Sequence, residues 1–150
     1  MANTTTQTSI EEWVRSHWML EHLGESFKKQ RLQLLSGGFF EFDAVSVNQR
    51  VVASISTSSG KTSGGKNPAG KIHKLRADML FLTLVVAERR IILLTQSDMY
   101  AFCVKEAEGG RVPKSIEFML AELPPELIGR LESARELASV EVRTQKVNPS

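Results

Sequence analysis

The succession of hydrophobic patterns along the chain predicts an α/β fold, and three observations carry that reading. FFEFDAVSV (Phe39 to Val47) and RVVASIST (Arg50 to Thr57) alternate as two strands joined across Asn48-Gln49, a β-hairpin. Ile72, Leu75, Met79, Leu82 and Val86 step by three and four, the period of one helical face. IILLTQ (Ile91 to Gln96) is a short continuous apolar run, as a strand buried on both sides requires.

The remaining elements follow from their punctuation. Ser9, with Glu12 three residues on, has the spacing of a capping box and opens a first helix. Trp13, Leu20, Phe27 and Leu34 continue it at seven-residue spacing, with Trp13 in the core, until Ser36-Gly37-Gly38 stops it. In the hairpin, alternation places Phe40, Phe42 and Ala44 on one side. Glu41 and Asp43 fall on the other, where they join Ser54 and Ser56 as a polar surface. After a Gly/Ser-rich loop, Asn67 and Pro68 supply the cap and first position of the second helix. Ser97 caps a third that runs to Glu108, Ile116 to Leu123 forms a strand, and Pro124-Pro125 opens a last helix through Leu127, Leu131, Ala134 and Leu137.

Length and composition set bounds on function. A chain of 150 residues, 41% hydrophobic and 24% charged, fits one globular domain, expected over residues 9–143 between disordered ends at 1–8 and 144–150. The single Cys103 excludes a disulfide framework and a cysteine zinc site, and reads as a small buried hydrophobe. The polar start MANTTTQTS lacks the basic and apolar regions of a signal peptide, and the apolar run from Met79 to Ala87 is too short to span a bilayer. A cytoplasmic protein without membrane contact is expected. His17 and His22 stand about 140° apart around a helix and cannot share a metal.

Charge is uneven. Lys61, Lys66, Lys71, Lys74 and Arg76 lie between Ser59 and Ala77 with no acid among them, which leaves a net −3 on the rest. Such a feature suits an anionic partner, DNA or RNA or another phosphorylated molecule. SSGKTSGGK is not a P-loop. One frame needs glycine where Ile55 stands, and the other puts Asn67 at the Ser/Thr position.

From Ser9 to Glu108, the order helix, hairpin, helix, buried strand, helix resembles the restriction-endonuclease-like, or PD-(D/E)XK, nucleases. The stretch FFEFDAVSVNQRVVASIS carries the resemblance. It implies a mixed central sheet with a β-hairpin, flanked by helices on both faces. Asp43 stands where the family has its first carboxylate, while Ser54 and Ser56 stand where it has (D/E)-x-K. In the family the two carboxylates hold Mg²⁺, which polarises the phosphodiester, and the lysine orients the attacking water. The resemblance therefore implies a nuclease-like domain that binds nucleic acid or a phosphorylated partner without efficient cleavage, with Asp43 at most a weak metal ligand. An active Mg²⁺-dependent nuclease would need Glu41 as second carboxylate and a relocated Lys71 or Lys74, with Glu21 or Glu25 as auxiliary acid. A non-catalytic protein-interaction domain, homo-oligomeric or not, is the remaining alternative.

Overall fold

A computed structural model describes residues 2–59, 69–130 and 133. It is an α/β fold built on one five-stranded mixed sheet with spatial order β1-β2-β3-β4-β5. The strands are β1 (Phe27–Gln33), β2 (Phe39–Ser46), β3 (Val51–Ser56), β4 (Arg89–Leu94) and β5 (Ile116–Leu120). The first three are antiparallel neighbours, and β3, β4 and β5 run parallel. Parallel pairs need crossovers, and α3 (Ala69–Thr83) and α4 (Ser97–Glu108) provide them.

Both sheet faces are covered. Ile10, Val14, Trp18 and Met19 pack on Ala44, Ala53, Ile55, Ile91 and Leu93. On the opposite face Leu75, Met79 and Leu82 of α3, with Met99 and Cys103 of α4, meet Phe42, Val45, Val52, Ile92 and Leu94. Each fully buried aliphatic side chain contributes roughly 1.5–3 kcal/mol. Two-sided burial explains why β4 reads as a continuous apolar run from Ile91, and it also buries β3, which the sequence reads as alternating. The hairpin, the α3 stripe and α4 lie where the sequence puts them. Val86 falls beyond the helix and is 74% exposed. Cys103 is buried as expected, and desolvation pushes its thiol up to about 11.

The N-terminal third differs from expectation. The helix begins at Ala2 rather than Ser9, so residues 2–8, expected to be disordered, form its first turns. Once Ile10 and Val14 fix a nucleus, propagation into a polar segment is inexpensive. The helix is α1 (Ala2–Trp13), a π turn (Val14–Trp18) and α2 (Met19–Leu23), in which the amide of Met19 donates to the carbonyl of Val14. One extra residue in the turn rotates everything after it by about 100°. Trp18 and Met19 are thereby buried and Leu20 is 48% exposed, while Trp13, ahead of the turn, packs partly buried against the same core. Gly24 ends the helix at φ +70°, its amide donating to Leu20 O at 3.0 Å.

The next segment, expected to continue the helix, is the edge strand β1 instead. A glycine in left-handed geometry stops the helix at Gly24 instead of Ser36, and Phe27-Lys-Lys-Gln-Arg-Leu-Gln carries no strong helical period of its own. β1 thus supplies a third antiparallel strand before α3. The Asn67-Pro68 start, the stripe through Leu131, Ala134 and Leu137, and the tail at 144–150 lie outside the described residues. Residues 125–130 are helical. Among the described residues no helix is long and apolar enough to cross a membrane.

The end of α3 is fastened to the sheet by Arg90, whose Nε donates to Leu82 O and whose Nη2 donates to Val85 O, both at 2.8 Å. Arg90→Met keeps most of the stem and removes both donors. It should lower unfolding free energy by about 1.5–3 kcal/mol in urea titrations, and a loss near zero would mean that water replaces the guanidinium at no cost.

Candidate functional site

The candidate site forms where β2 and β3 part. Their described ladder consists of Ala44 opposite Ala53 and Val45 opposite Val52. On the other side of β2, Lys28 faces Val45 and Gln30 faces Phe42, so β2 holds one residue more than β1 over that interval. This is a β-bulge at Asp43-Ala44. Ile55, beyond the last rung, loses its backbone acceptor, and Asp43 supplies one: its Oδ2 accepts the amide of Ile55 at 2.8 Å. Strand amides point along the sheet, so this bond draws the carboxylate into the gap between the strands. The π turn holds the bulge from the other side, since Arg15 Nε donates to the backbone carbonyl of Asp43 at 2.8 Å.

The bulge corrects the expected sorting of faces. Phe42 belongs with the α3/α4 core and Ala44 with the α1 core, because the extra residue resets the alternation. Ser54 and Ser56 pair with Ile92 and Leu94 and lie on the α3/α4 face, with Ser54 only 3% exposed. Glu41 is exposed and paired to Lys29 at 3.5 Å. The single polar surface of Glu41, Asp43, Ser54 and Ser56 is therefore not formed.

A different set of charges gathers around Asp43. Glu11 on α1 has its pKa raised by burial first and by Asp43 second, against the pull of Lys29, Arg15 and Lys74. Asp78 on α3 is raised by burial, offset by Lys74, with Asp43 raising it further. Lys74 Nζ lies 3.1 Å from Asp78 Oδ2. The charge of Asp43 on β2 thus acts on Glu11 of α1 and on Asp78 of α3, and that of Lys74 acts on the same two acids.

Of the residues singled out in the sequence, Asp43 and Lys74 are brought into this cluster. Glu41, Ser54 and Ser56 are not. Arg76 donates to Glu106 of α4 at 3.1 Å, and Glu106, also bonded to Arg111, has its pKa lowered by those arginines. Lys71 is exposed at the start of α3, and Lys61 and Lys66 lie outside the described residues. Glu21 is exposed, and Glu25 Oε1 accepts from Asn48 Nδ2 at 3.3 Å, at the hairpin turn. Glu11 was missed. Its signal in the sequence was its place one residue before Glu12 on a helix whose apolar face includes Ile10 and Val14.

The fit to Mg²⁺ follows from these positions. Asp43 offers a carboxylate already engaged by a backbone amide, and the two serines lie on the other side of the gap. Among the described residues no group of three or more His, Cys, Asp or Glu side chains is placed to hold a metal ion. The arrangement does not fit a hard cation that needs several converging oxygens.

Two variants test the site. Asp43→Ala leaves the buried amide of Ile55 without an acceptor and should cost about 1–3 kcal/mol, whereas Asp43→Asn keeps an acceptor oxygen and should cost less. Urea unfolding and hydrogen exchange at Ile55 read the difference, and equal losses would show that the bond does not hold the strand. Glu11 tests the electrostatics. Its folded pKa lies above 4.5, so the cost of ionising it is present at neutral pH and is relieved as pH falls through that folded value. Glu11→Gln should therefore be more stable than the parent at neutral pH, with an advantage that shrinks as pH falls toward 4.5. An advantage independent of pH would remove the burial argument.

No protein-family model, curated protein or solved structure matches this chain.

Proposed function

We propose that this chain is a restriction-endonuclease-like domain that binds nucleic acid through the basic segment 59–76, without efficient phosphodiester cleavage. The observation that carries the reading is the placement of Lys74. It sits on the helix that follows the three antiparallel strands, and its charge acts on both Glu11 and Asp78 beside the Asp43 bulge. A carboxylate in the middle antiparallel strand, an acid on the first helix and a lysine on the helix after the hairpin are the kinds of group that the sequence resemblance leads one to seek there.

The described end of the basic segment adjoins this cluster through Lys74. Ser59 Oγ donates to Asp98 Oδ2 at 2.6 Å, which ties the start of the segment to the first turn of α4. Lys71, His73, Lys74 and Arg76 are exposed on the first half of α3. Lysine contacts with phosphate give affinity without sequence preference, because they do not read base edges. Binding must overcome repulsion from Asp43, Glu11 and Asp78. The raised pKa values of Glu11 and Asp78 ease that repulsion as pH falls. Against turnover stand the hydroxyls of Ser54 and Ser56, which supply neither a second negative ligand nor a cation.

The test is salt-dependent binding of DNA and RNA. The parent should bind weakly and without sequence preference. Replacing Lys61, Lys66, Lys71 and Lys74 with Gln should reduce both affinity and the slope of log K against log[salt], by about 0.9 for each phosphate of duplex DNA that is no longer neutralised. Absence of binding at low salt, or a quadruple variant that behaves as the parent, would overturn the reading. Robust Mg²⁺-dependent cleavage abolished by Asp43→Ala would overturn its second half.

A further inference from the structure

The tip of the β1–β2 hairpin displays a feature that neither the core nor the Asp43 cluster uses. Arg31 faces Glu41 across the ladder and Gln33 faces Phe39, so Arg31 and Phe39 sit diagonally on one face of the two outermost strands. The Arg31 guanidinium carbon lies 4.7 Å from the centre of the Phe39 ring, yet Phe39 remains 54% exposed. On the same face Lys29 is exposed and already paired with the acid Glu41, while Lys28 is exposed on the opposite face of β1. A charged edge strand has an ordinary purpose, since lysines discourage edge-to-edge pairing with other sheets. That purpose accounts for the cations but not for an open aromatic ring held against a guanidinium.

We propose that the Arg31–Phe39 face is a stacking platform for unpaired bases, so that the nucleic acid bound is single-stranded. The inference rests on the nucleic-acid reading above and specifies its substrate. A ring and a guanidinium in contact offer a firm surface to a base, and the ring, already ordered by Arg31, loses little freedom when a base stacks on it. Lys29, two residues from Arg31 on the same face, is paired with Glu41, which leaves the exposed Arg31 as the cation that meets the backbone. Bases in a duplex already stack on one another and present no open face to Phe39, so the platform discriminates by strandedness and not by sequence.

Anisotropy titrations of the full chain with a labelled oligothymidylate, and with a duplex of the same length, test this. The parent should prefer the single strand. Phe39→Ala should weaken oligothymidylate binding by about 5- to 100-fold, leave duplex binding nearly unchanged, and leave the salt slope unaltered, because stacking releases no counterions. Phe39→Trp should retain the parent's preference, and Arg31→Gln should reduce it. Circular dichroism of each variant separates loss of binding from loss of fold. If Phe39→Ala binds as the parent does while the lysine variants lose affinity, the platform is refuted and the nucleic-acid reading survives. If the parent binds no nucleic acid at low salt, both fall. Binding to phosphatidylserine vesicles in place of oligonucleotides, lost in Phe39→Ala, would make this face a lipid contact and overturn the proposal.

Discussion

The bond from the Ile55 amide to the Asp43 carboxylate is the constraint on which the architecture of the site depends. β3 is covered on both faces and flanked by strands on both sides, so its amides have no access to bulk water. An unpaired amide there would cost about 1–3 kcal/mol. Where β2 turns away at the bulge, only a side chain can replace the missing backbone acceptor, and a short carboxylate is the right length. Asp43 thus closes the sheet where the strands open. Arg15, delivered by the π turn, holds the same residue by its carbonyl, so an irregular helix and an irregular strand stabilise each other.

That closure shapes the electrostatics around it. The carboxylate lies between the layers, where Glu11 on one side and Asp78 on the other both register its charge. Burial raises both acids, and Lys74 offsets part of that effect. The opposite case is seen on the surface, where Glu106 and Glu117 are held low by hydrogen bonds from Arg111 and Arg89. Acids fastened to arginines serve cohesion between neighbouring elements. Acids raised by burial around a break in the sheet have a chemical character that the other described acids lack, and this is why the cluster is the natural place to look for function.

The proposed binding functions occupy two surfaces that the fold makes in different ways. The segment at 59–76 belongs to a crossover, which every parallel strand pair requires, and is anchored at Ser59 by Asp98. The Arg31–Phe39 face belongs to an edge, which every open sheet exposes. The side chains named for binding among the described residues, Lys71, Lys74, Arg76, Arg31 and Phe39, are exposed. Apart from Lys74, which is bonded to the buried Asp78, these groups can change with little effect on stability, which allows the binding and folding experiments to be read separately.

Sequence alone determined those parts of the molecule whose pattern has one solution. β4 holds a short apolar run of isoleucine and leucine from Ile91 to Leu94, α3 has an unbroken three-four period, and the β2–β3 hairpin is marked at its turn by Asn48-Gln49. Each is what the sequence reading expects, because local periodicity and burial agree. The tertiary structure decided the rest. Phe27 and Leu34 fit a helical stripe as well as they fit a strand, and it is Gly24 at a positive φ that chose between them. A single inserted residue at Asp43-Ala44 reversed the faces of β2, and a single π turn buried Met19 and left Leu20 exposed. Periodicity counts residues, and neither insertion leaves a mark in the count. It is the packing of the helix against β2, and the need of the Ile55 amide for an acceptor, that placed Glu11, Asp43 and Lys74 together.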